Sequence, residues 1–533
     1  MRRKLGSIRV CAAIAGAVAA GLLAASPARA AVVNATWNQS AGGSWATAGN
    51  WDVNAVPDGA GATATFTDPG AARTVTTDSG STGFTVGGLT FNNGTANATT
   101  VSTGSTGSKL ILDNTGAGSN VTITVNGTGT GNTTISVPTT FSQDVLAIVN
   151  QTSQSSTAGA LNWTGSVSGG SGGFTKQGQG LLTFGTGGKA YTGATVLDTN
   201  SGRTRISVAG SPTATSSFTV KAGAQITLIT ANGNYTWGTG PLNLNGTGLG
   251  ATSAQGNFPG VIRNDTNLVA TINNPIVLQS DSLIHVQGAA TGSTTFSNTV
   301  SGPGGLTLTA VNSNADIGKL VLSGAGSFTG QTVVNAGTLQ LNSTSGPALG
   351  ATSGLVVHNL TSAGSTFGVV LLTQPNQIND AAPVTLDGGV LNTGGLNEGS
   401  VGAGGKGVAG AGPLLVSANS VIDMGNGSSA LAFANSAGSA WAGALSVYNW
   451  SGNLGTGGGA DELFFGSDQT GLTSAQLAQL KFYSDAGTTL LGTGATVLST
   501  GEAVPTVPEP ASGLTLLAAG GFAWAGRRAR RLA

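Results

Sequence analysis

Residues 319–341 read KLVLSGAGSFTGQTVVNAGTLQL, and their pattern is the clearest indication of the fold. Short apolar runs, some alternating with Thr or Gln, are separated by Gly, Asn and Ser. Alternation of period two, broken by turn residues, is typical of β-strands. Similar runs recur at residues 109–112, 121–125, 268–272 and 306–309, and almost nothing between residues 60 and 440 has a helical period. The sequence therefore predicts an all-β chain.

The composition favours a repetitive architecture. The chain has 533 residues, more than one compact core usually holds, so either several domains or a one-dimensional repeat is expected. Gly accounts for 89 residues, only 8% of the chain is charged, and 39% is hydrophobic. Disordered chains have the opposite balance of charge and apolar content. The chain is therefore predicted to fold, and to fold as a repeat.

Two segments of the chain resemble each other. The shared pattern falls on residues 166–169, 174–178, 181–184, 190–193 and 195–197, and again on residues 299–302, 319–324, 327–330 and 333–341. Both segments resemble the autotransporter-associated β-strand repeat, and this resemblance implies coils of a right-handed parallel β-helix, a solenoid. The earlier copy departs from the family's pattern at residues 198–202, where the family usually has Asn-Ala-Gly.

Stacked coils would account for the unusual composition. Inward side chains of one coil would pack on those of the next, Gly and Asn would occupy left-handed corners, and backbone hydrogen bonds between coils need few charges. In the later copy the positions predicted to point inward are Leu320, Leu322, Phe328, Val334, Leu339 and Leu341. Tandem β-sandwiches are the alternative, because strand pattern alone separates the two folds poorly.

The first 30 residues are predicted to be a signal peptide. A basic start at residues 2–4 is followed by an apolar run over residues 10–25 and by small residues at Ala28 and Ala30. This order is that of a cleaved secretory leader, so the export translocon is an expected partner and Ala31 is the expected first residue of the mature chain. An uncleaved membrane anchor is the alternative.

Residues 507–533 form a second targeting segment. Val507, Pro508, Glu509 and Pro510 are followed by an apolar run and then by arginines. A helix over residues 511–526 would be about 24 Å long, a little short of a typical hydrocarbon core, so it would be a weak permanent anchor. The positive-inside rule predicts that the arginine cluster stays in the cytoplasm. This cluster comprises Arg527, Arg528, Arg530 and Arg531.

These three parts, in this order, resemble the PEP-CTERM sorting signal of Gram-negative bacteria. In that family the signal is recognised by exosortase, a membrane-embedded cysteine transpeptidase, and the proteins are associated with exopolysaccharide, biofilm or floc. The resemblance implies exosortase as a partner, transient association with the inner membrane, and a final location at the cell surface or in the extracellular matrix. A plain single-span anchor is the alternative.

The solenoid is expected to have a cap at its N-terminal end. Trp37, Trp45 and Trp51 stand close together in residues 31–93, which we interpret as this cap. Three indoles could instead form a sugar-stacking platform, although a cap core is the commoner arrangement.

The β-helix itself is predicted over residues 94–440, and a C-terminal cap over residues 441–506. Within this cap Thr473 is predicted to start a short helix over residues 474–480, with Gln476 completing a capping box.

Charge excludes one class of function. Between the two targeting segments, residues 31–506 hold 11 basic and 19 acidic side chains, a net charge of about −8. No basic stripe is present, so nucleic-acid binding is not expected. The acidic residues are scattered singly and offer no general acid and base pair.

The sequence offers little catalytic or metal chemistry. His285 and His358 are the two histidines, and Cys11, the one cysteine, lies in the leader, so a histidine or thiol metal site is not expected. Residues 169–173 match the nucleophile-elbow pattern by chance, without its strand-to-helix context. Residues 459–463 resemble one imperfect calcium-binding nonapeptide, a motif that works in tandem copies. No catalytic residue, metal or cofactor is predicted.

We therefore expect an exported, exosortase-processed, non-catalytic structural or adhesive protein of the cell surface or exopolysaccharide matrix. The first alternative is a β-helix enzyme or binding protein that acts on polysaccharide. A charged or aromatic cluster on one face of the folded chain would favour this alternative. An autotransporter passenger is the least favoured interpretation, since the chain ends in arginines where such a protein requires a membrane domain.

Overall fold

The computed structural model describes residues 32–506, apart from residues 69, 79, 81, 116, 119, 152–159, 250–258, 265–267, 288–291, 310–317 and 360–366. Nearly all regular structure in this part of the chain is β-strand, as predicted. Within the described residues, no helix is long and apolar enough to cross a membrane. The predicted membrane segment at residues 511–526 and the predicted signal peptide lie outside the described residues.

The chain winds through three faces, here called A, B and C, and some coils form strands on only two of them. Gly88–Asn92 lies on face A, Thr99–Thr103 on face B and Leu110–Leu112 on face C, and Asn120–Asn126 then returns to face A. There it pairs in parallel with Gly88–Asn92. This winding is a parallel β-helix, so the predicted fold class is confirmed and the alternative of tandem sandwiches is wrong. The right hand of the winding stays a prediction. It rests on the rule that crossovers between parallel strands are right-handed almost without exception.

Faces A and B are continuous parallel sheets. Face A has 11 strands: Asn34–Trp37, Thr63–Phe66, Gly88–Asn92, Asn120–Asn126, Asp144–Val149, Phe174–Gln177, Thr195–Leu197, Phe218–Val220, Leu242–Leu244, Ile276–Leu278 and Val300–Ser301. Face B comprises Gly43–Ser44, Arg73–Thr77, Thr99–Thr103, Thr133–Ile135, Leu161–Trp163, Leu182–Phe184, Gly202–Ile206, Ala224–Leu228, Ile262–Asn264, Ser282–Val286, Leu306–Thr309, Thr332–Val334, Leu355–His358, Val384–Asp387, Ala411–Ala418, Ser429–Ala434 and Asp461–Phe465.

Face C is divided into two sheets. The first contains Phe84–Val86, Leu110–Leu112, Thr139–Phe141 and Val167–Ser168. The second contains Gly233–Tyr235, Val269–Ile272, Ser293–Phe296, Lys319–Leu322, Gly337–Leu341, Gly368–Leu372, Val390–Asn392, Ser420–Asp423, Leu445–Tyr448, Leu480–Tyr483 and Leu490–Thr493. Two hairpins, Gly399–Val401 with Gly407–Ala409 and Ala495–Val497 with Ala503–Pro505, complete the strands. The described helices are Ala48–Asn50 and Ala403–Gly405, both 3₁₀, and the α-helix Ser474–Ala478.

The interior of the coils is one continuous apolar core. Burial alternates along the strands, so that in Gly337–Leu341 the first, third and fifth residues are buried. The buried apolar residues form a single cluster that extends from Ala35 to Ala503. All positions predicted to point inward in the later repeat are buried: Leu320, Leu322, Phe328, Val334, Leu339 and Leu341.

Corners between faces depend on left-handed residues and on side chains that reach the next coil. Gly337 has a φ of 82°, in the region that Gly adopts without steric cost. Asp144 Oδ1 accepts the amide hydrogen of Gly173 at 2.7 Å, and Asp281 Oδ1 accepts that of Gly305 at 2.8 Å. Isolated acidic residues thus bridge successive coils, which gives them a structural role.

The three N-terminal tryptophans form an aromatic core inside the first coils. The ring centroids of Trp37 and Trp45 each lie 5.0 Å from that of Trp51. All three indoles are buried, at 1% exposure or less. Trp37 and Trp51 also form an antiparallel bridge that covers the outer edge of the first strand. The indoles therefore lie in the core of the first coils and do not offer a solvent-facing platform for sugars.

The C-terminal end of the shaft is closed by antiparallel pairs. Leu480–Tyr483, the last parallel strand of face C, pairs in antiparallel fashion with Leu490–Thr493. Phe464, on the last strand of face B, forms an antiparallel bridge with Glu502. An open parallel edge invites pairing with another chain, and these segments cover the last parallel strands of faces B and C. At about 4.8 Å per strand spacing, a 17-strand face B gives a closed shaft of roughly 75–80 Å.

Candidate functional site

The predicted site residues lie at the two ends of the chain. The sorting motif Val507 to Pro510, the arginine cluster from Arg527 to Arg531 and the cleavage site at Ala28, Ala30 and Ala31 all lie outside the described residues. What the structure does describe is residues 441–506, the segment predicted as the C-terminal cap and here called the cap, to which the sorting motif is joined.

A short helix organises this cap. Gln476 N donates to Thr473 Oγ1 at 3.3 Å and Thr473 N donates to Gln476 Oε1 at 2.7 Å, so the predicted capping box is confirmed. The helix ends at Ala478, two residues before its predicted end. The prediction of 474–480 was wrong at this end because Leu480 pairs in parallel with Leu445 as the next strand of face C.

The chain leaves the cap at Thr506. Its amide donates to Gly494 O at 3.3 Å, and Thr506 Oγ1 donates to Thr493 O at 3.0 Å. Beside it lies a groove of about 450 Å³. The residues that line this exit groove are Ser474, Leu477, Ala478, Thr493, Gly494, Ala495 and Thr506, and none of them is charged. The two sides of the groove, the helix Ser474–Ala478 and residues 493–495, are separated along the chain by the strand Leu480–Tyr483. The sequence pattern therefore did not indicate that they meet.

A second crevice of about 500 Å³ contains two glutamates of the cap, Glu462 and Glu502. Burial, with a smaller contribution from Glu462, raises the pKa of Glu502 above its ordinary value. Gly458 N donates to Glu502 Oε2 at 2.9 Å, so this carboxylate already binds a backbone turn of the cap. Its geometry is that of a structural brace.

The candidate calcium segment at residues 459–463 is also engaged in the fold. Asp461 Oδ1 accepts from Ser429 N at 3.2 Å, and Asp461 Oδ2 accepts from Ser451 N at 2.8 Å. Asp468, further along the chain, accepts from Thr470 N at 2.8 Å. Within the described part of the chain, no group of three or more His, Cys, Asp or Glu side chains could hold a metal ion.

His358 belongs to a polar row on the outside of face B. Its Nδ1 lies 2.8 Å from Asp387 Oδ2, and Ser417 Oγ donates to Asp387 Oδ1 at 2.7 Å. These bonds, that of Ser417 first, lower the pKa of Asp387. A nucleophilic serine needs the histidine beside its hydroxyl, whereas here the aspartate separates the two. The row links three successive coils and does not form a proton relay to serine.

Residues 169–173, the chance match to the nucleophile elbow, lie between Val167–Ser168 and Phe174–Gln177. Both flanking elements are strands of successive faces, and Ser171 is exposed in the turn that joins them. The strand-to-helix turn that a nucleophile elbow requires is not formed at these residues.

Face B carries a basic cluster that the sequence pattern did not indicate. The strand register places Arg205, Thr227, Arg263 and His285 side by side on four successive strands. Arg263 is 6% exposed and His285 is fully buried. Burial, together with the charge of Arg263, lowers the pKa of His285 to about 4. These residues are far apart in the sequence. They become neighbours only through the strand register, which depends on coil lengths that vary along the chain.

Neighbouring amides bind this cluster into the fold. Arg203, 2% exposed, donates from Nε to Gln225 Oε1 at 3.1 Å, and Gln225 Nε2 donates to Gly260 O at 2.8 Å. Arg263 Nη2 donates to Gln287 Oε1 at 2.8 Å. The cluster is therefore largely covered, and Arg205 is its partly exposed member.

Two family models match the chain. The passenger-associated-transport-repeat matches residues 174–206 and 315–341, and the PEP-CTERM protein-sorting motif matches residues 506–531. Both resemblances drawn from the sequence are thus confirmed, and the two repeats lie within the β-helix. No curated protein and no solved structure matches the chain.

The sorting motif marks the chain as an exported protein that is targeted to exosortase. Its precursor is anchored in the membrane. The described part of the chain is then the exported body of this precursor, and its C-terminal cap is the part nearest to the processing signal.

Proposed function

We propose that the protein is a non-catalytic structural or adhesive shaft, released by exosortase and held at the cell surface or in the exopolysaccharide matrix. One observation carries the proposal: a single apolar core runs through the whole stack between two closed ends. Such a body gives length and a large outer surface at low charge density.

The polar groups of the shaft support a structural role. The Asp144 and Asp281 carboxylates bind the next coil, His358 and Asp387 bind each other across coils, and Glu502 binds a cap turn. Groups that carry out acid–base catalysis must instead reach a substrate. A body whose polar side chains are used in holding coils together suits a scaffold better than an enzyme.

Processing is tested by replacing Pro508, Glu509 and Pro510 together with alanine in the native host. We expect a full-length precursor in the membrane fraction for this variant, and a shorter, released or matrix-bound form for wild type. The combined exchange Pro508→Glu and Glu509→Pro keeps the composition of the motif and should also block processing. Val53→Ala, at an exposed position in the first coils, should be processed like wild type.

Identical mobility and fractionation of wild type and the triple alanine variant would contradict the proposal and favour a plain anchor. The structural role is tested separately, by incubating the processed protein with exopolysaccharide from the same host. We expect the polysaccharide to sediment with the protein and to keep its size distribution in gel filtration. Shortened polysaccharide would show an enzyme instead.

The basic cluster of face B is the observation that favours the alternative, a protein that binds anionic polysaccharide. Arginine pairs well with carboxylates, and Arg205 is the partly exposed member of the cluster. If the cluster binds the polymer, Arg205→Gln should weaken cosedimentation, and added salt should weaken it further. Equal cosedimentation of Arg205→Gln and wild type would leave the binding to other parts of the shaft.

A further inference from the structure

The folded body continues up to Thr506, the residue directly before the Val-Pro-Glu-Pro segment at 507–510. Thr506 is hydrogen-bonded to Gly494 and Thr493 through its backbone and its side chain, and Val507 is the first residue of the motif. No linker residue separates the cap from the sorting motif that the processing enzyme recognises. The structure therefore limits how far the enzyme can be from the cap.

The reach of the chain sets this limit. A fully extended chain spans at most about 3.3–3.6 Å per residue, so Pro510 lies within roughly 14 Å of Thr506 in any conformation. An enzyme that holds Pro508, Glu509 and Pro510 in its binding site must extend further than this around the peptide. The surface of the cap beside Thr506 is therefore brought against the enzyme whenever the motif is bound.

The surface at that point suits such a contact. The exit groove is uncharged, and Leu477, Ala478 and Ala495 supply its apolar side. Ala478 and Thr493 are exposed, and so is Leu490 on the last antiparallel strand, at 48%. Protein contacts favour surfaces where charged groups are depleted, since charges are costly to desolvate.

We infer that the exit groove, at the junction of the helix Ser474–Ala478 with Thr493, Gly494 and Ala495, docks on the outer face of exosortase and helps to present the sorting motif. The inference rests on the proposed function, because it assumes that exosortase processes this chain. The cap then acts as a second recognition element beside the motif, with the short tether holding both against one enzyme.

The test places a large cation in the groove of the full-length precursor, as Ala478→Arg, and follows processing in the native host by pulse labelling. A cation in the last turn of a helix does not destabilise it, so slower processing would not reflect a weakened helix. We expect at least fivefold slower processing. The matched control is Ala475→Arg on the same helix, an exposed residue outside the groove lining, which should be processed like wild type.

A spacer tests the role of the short tether. Twelve Gly and Ser residues inserted between Thr506 and Val507 would have a root-mean-square span of about 19 Å, enough to release the cap from the enzyme. In this background Ala478→Arg should change the processing rate less than twofold. An unchanged fivefold effect in the spacer background would overturn the docking model.

Direct contact is tested with Ala478→Cys carrying a photoreactive benzophenone, since Cys11 lies in the predicted leader. We expect a crosslinked product with the added mass of exosortase. A lipid surface is the competing occupant, and a new cation near anionic lipid would bind it more tightly. A lipid adduct alone, or processing of Ala478→Arg at the wild-type rate, would overturn the inference. In either case normal processing of wild type would leave the proposed function standing, whereas unprocessed wild type would contradict that function itself.

Discussion

The two repeat copies have the same local hydrogen bonds but occupy different faces of the β-helix. In the earlier copy Ala190 N donates to Val167 O at 2.8 Å, and in the later copy Ser327 N donates to Val300 O at the same distance. Val167 lies on face C, whereas Val300 lies on face A. The later copy is therefore advanced by one face relative to the earlier one.

The following strands show the same offset. Phe174–Gln177 and Leu182–Phe184 lie on faces A and B, and their counterparts Leu306–Thr309 and Lys319–Leu322 lie on faces B and C. Parallel strands join through backbone groups, which are alike on every face. The repeat thus specifies a sequence of strands and corners, and the coils before it determine the face on which it begins.

One of the inward positions at which the copies differ lies beside a corner that also differs. Asp198 N donates to Lys176 O, and Asn335 N donates to Leu308 O, so the lysine occupies the place of the leucine. The earlier corner, residues 198–202, is two residues longer than its counterpart at 335–337. Lys176 Nζ donates to Ser201 O in this longer corner and to Gly178 O at 2.9 Å. The longer corner is the departure from the family's pattern. The buried amine of Lys176 donates to Ser201 O, a carbonyl that this longer corner adds.

The largest expected effect is that of Leu339→Asp in the later copy. Leu339 is fully buried, so the substitution places a carboxylate without a partner in the apolar core. We expect the free energy of unfolding to fall by roughly 3–5 kcal/mol in urea titrations of the exported protein. Thr338→Asp, at the neighbouring outward position, should change it by less than about 1 kcal/mol. Equal losses for the two variants would mean that the strand register is wrong.

A smaller effect is expected when the inward residues of the two copies are exchanged. Leu308→Lys buries an amine beside the short corner, which lacks the two extra residues of the earlier copy, and should cost roughly 2–4 kcal/mol. Lys176→Leu removes the donor to Ser201 O and Gly178 O and should cost roughly 1–3 kcal/mol. Both are measured by urea unfolding. A stabilising Lys176→Leu would contradict the role assigned to the lysine.

Sequence pattern could predict the inward leucines of the later copy but not this lysine. Leu339 and Leu341 are recognised by alternation alone, because the period of a strand is two. A lysine is expected to face solvent unless a specific partner is known, and Ser201 O becomes a partner only once the longer corner is built. The sequence pattern did not predict the basic cluster of face B for a related reason. Arg263 and His285 are neighbours only through strand register, which unequal coil lengths conceal.

The stability that Lys176 contributes should depend on pH. Burial lowers the pKa of Lys176 to about 7, well below its value in the unfolded chain. Between about pH 7 and 10 the unfolded state therefore binds more protons at this residue, and stability rises with pH. We expect the wild type to gain roughly 2 kcal/mol relative to Lys176→Met between pH 7 and 9, because over this range the unfolded chain holds a proton at Lys176 that the folded chain has largely released. A difference between the two proteins that is independent of pH would show that Lys176 keeps its charge in the fold.

The smallest expected effect tests whether the two copies are equivalent at a hydroxyl pair. Thr195 Oγ1 lies 3.0 Å from Thr215 Oγ1, and Thr332 Oγ1 lies 3.0 Å from Thr352 Oγ1. In both pairs the second threonine, which follows the copy along the chain, also contacts the carbonyl of a glycine in the preceding coil at 2.7 to 2.9 Å. A buried hydroxyl that satisfies a carbonyl is worth roughly 1 kcal/mol.

Thr215→Val and Thr352→Val should therefore each lower the free energy of unfolding by about 1 kcal/mol, and the two losses should agree within about 0.5 kcal/mol. The sites lie many coils apart, so the double variant should lose the sum of both. Unequal losses would mean that the surrounding face affects the hydroxyl pair, and that the repeat is equivalent only in its backbone. Equal and additive losses would establish that the repeat keeps its side-chain contacts wherever on the shaft it is placed.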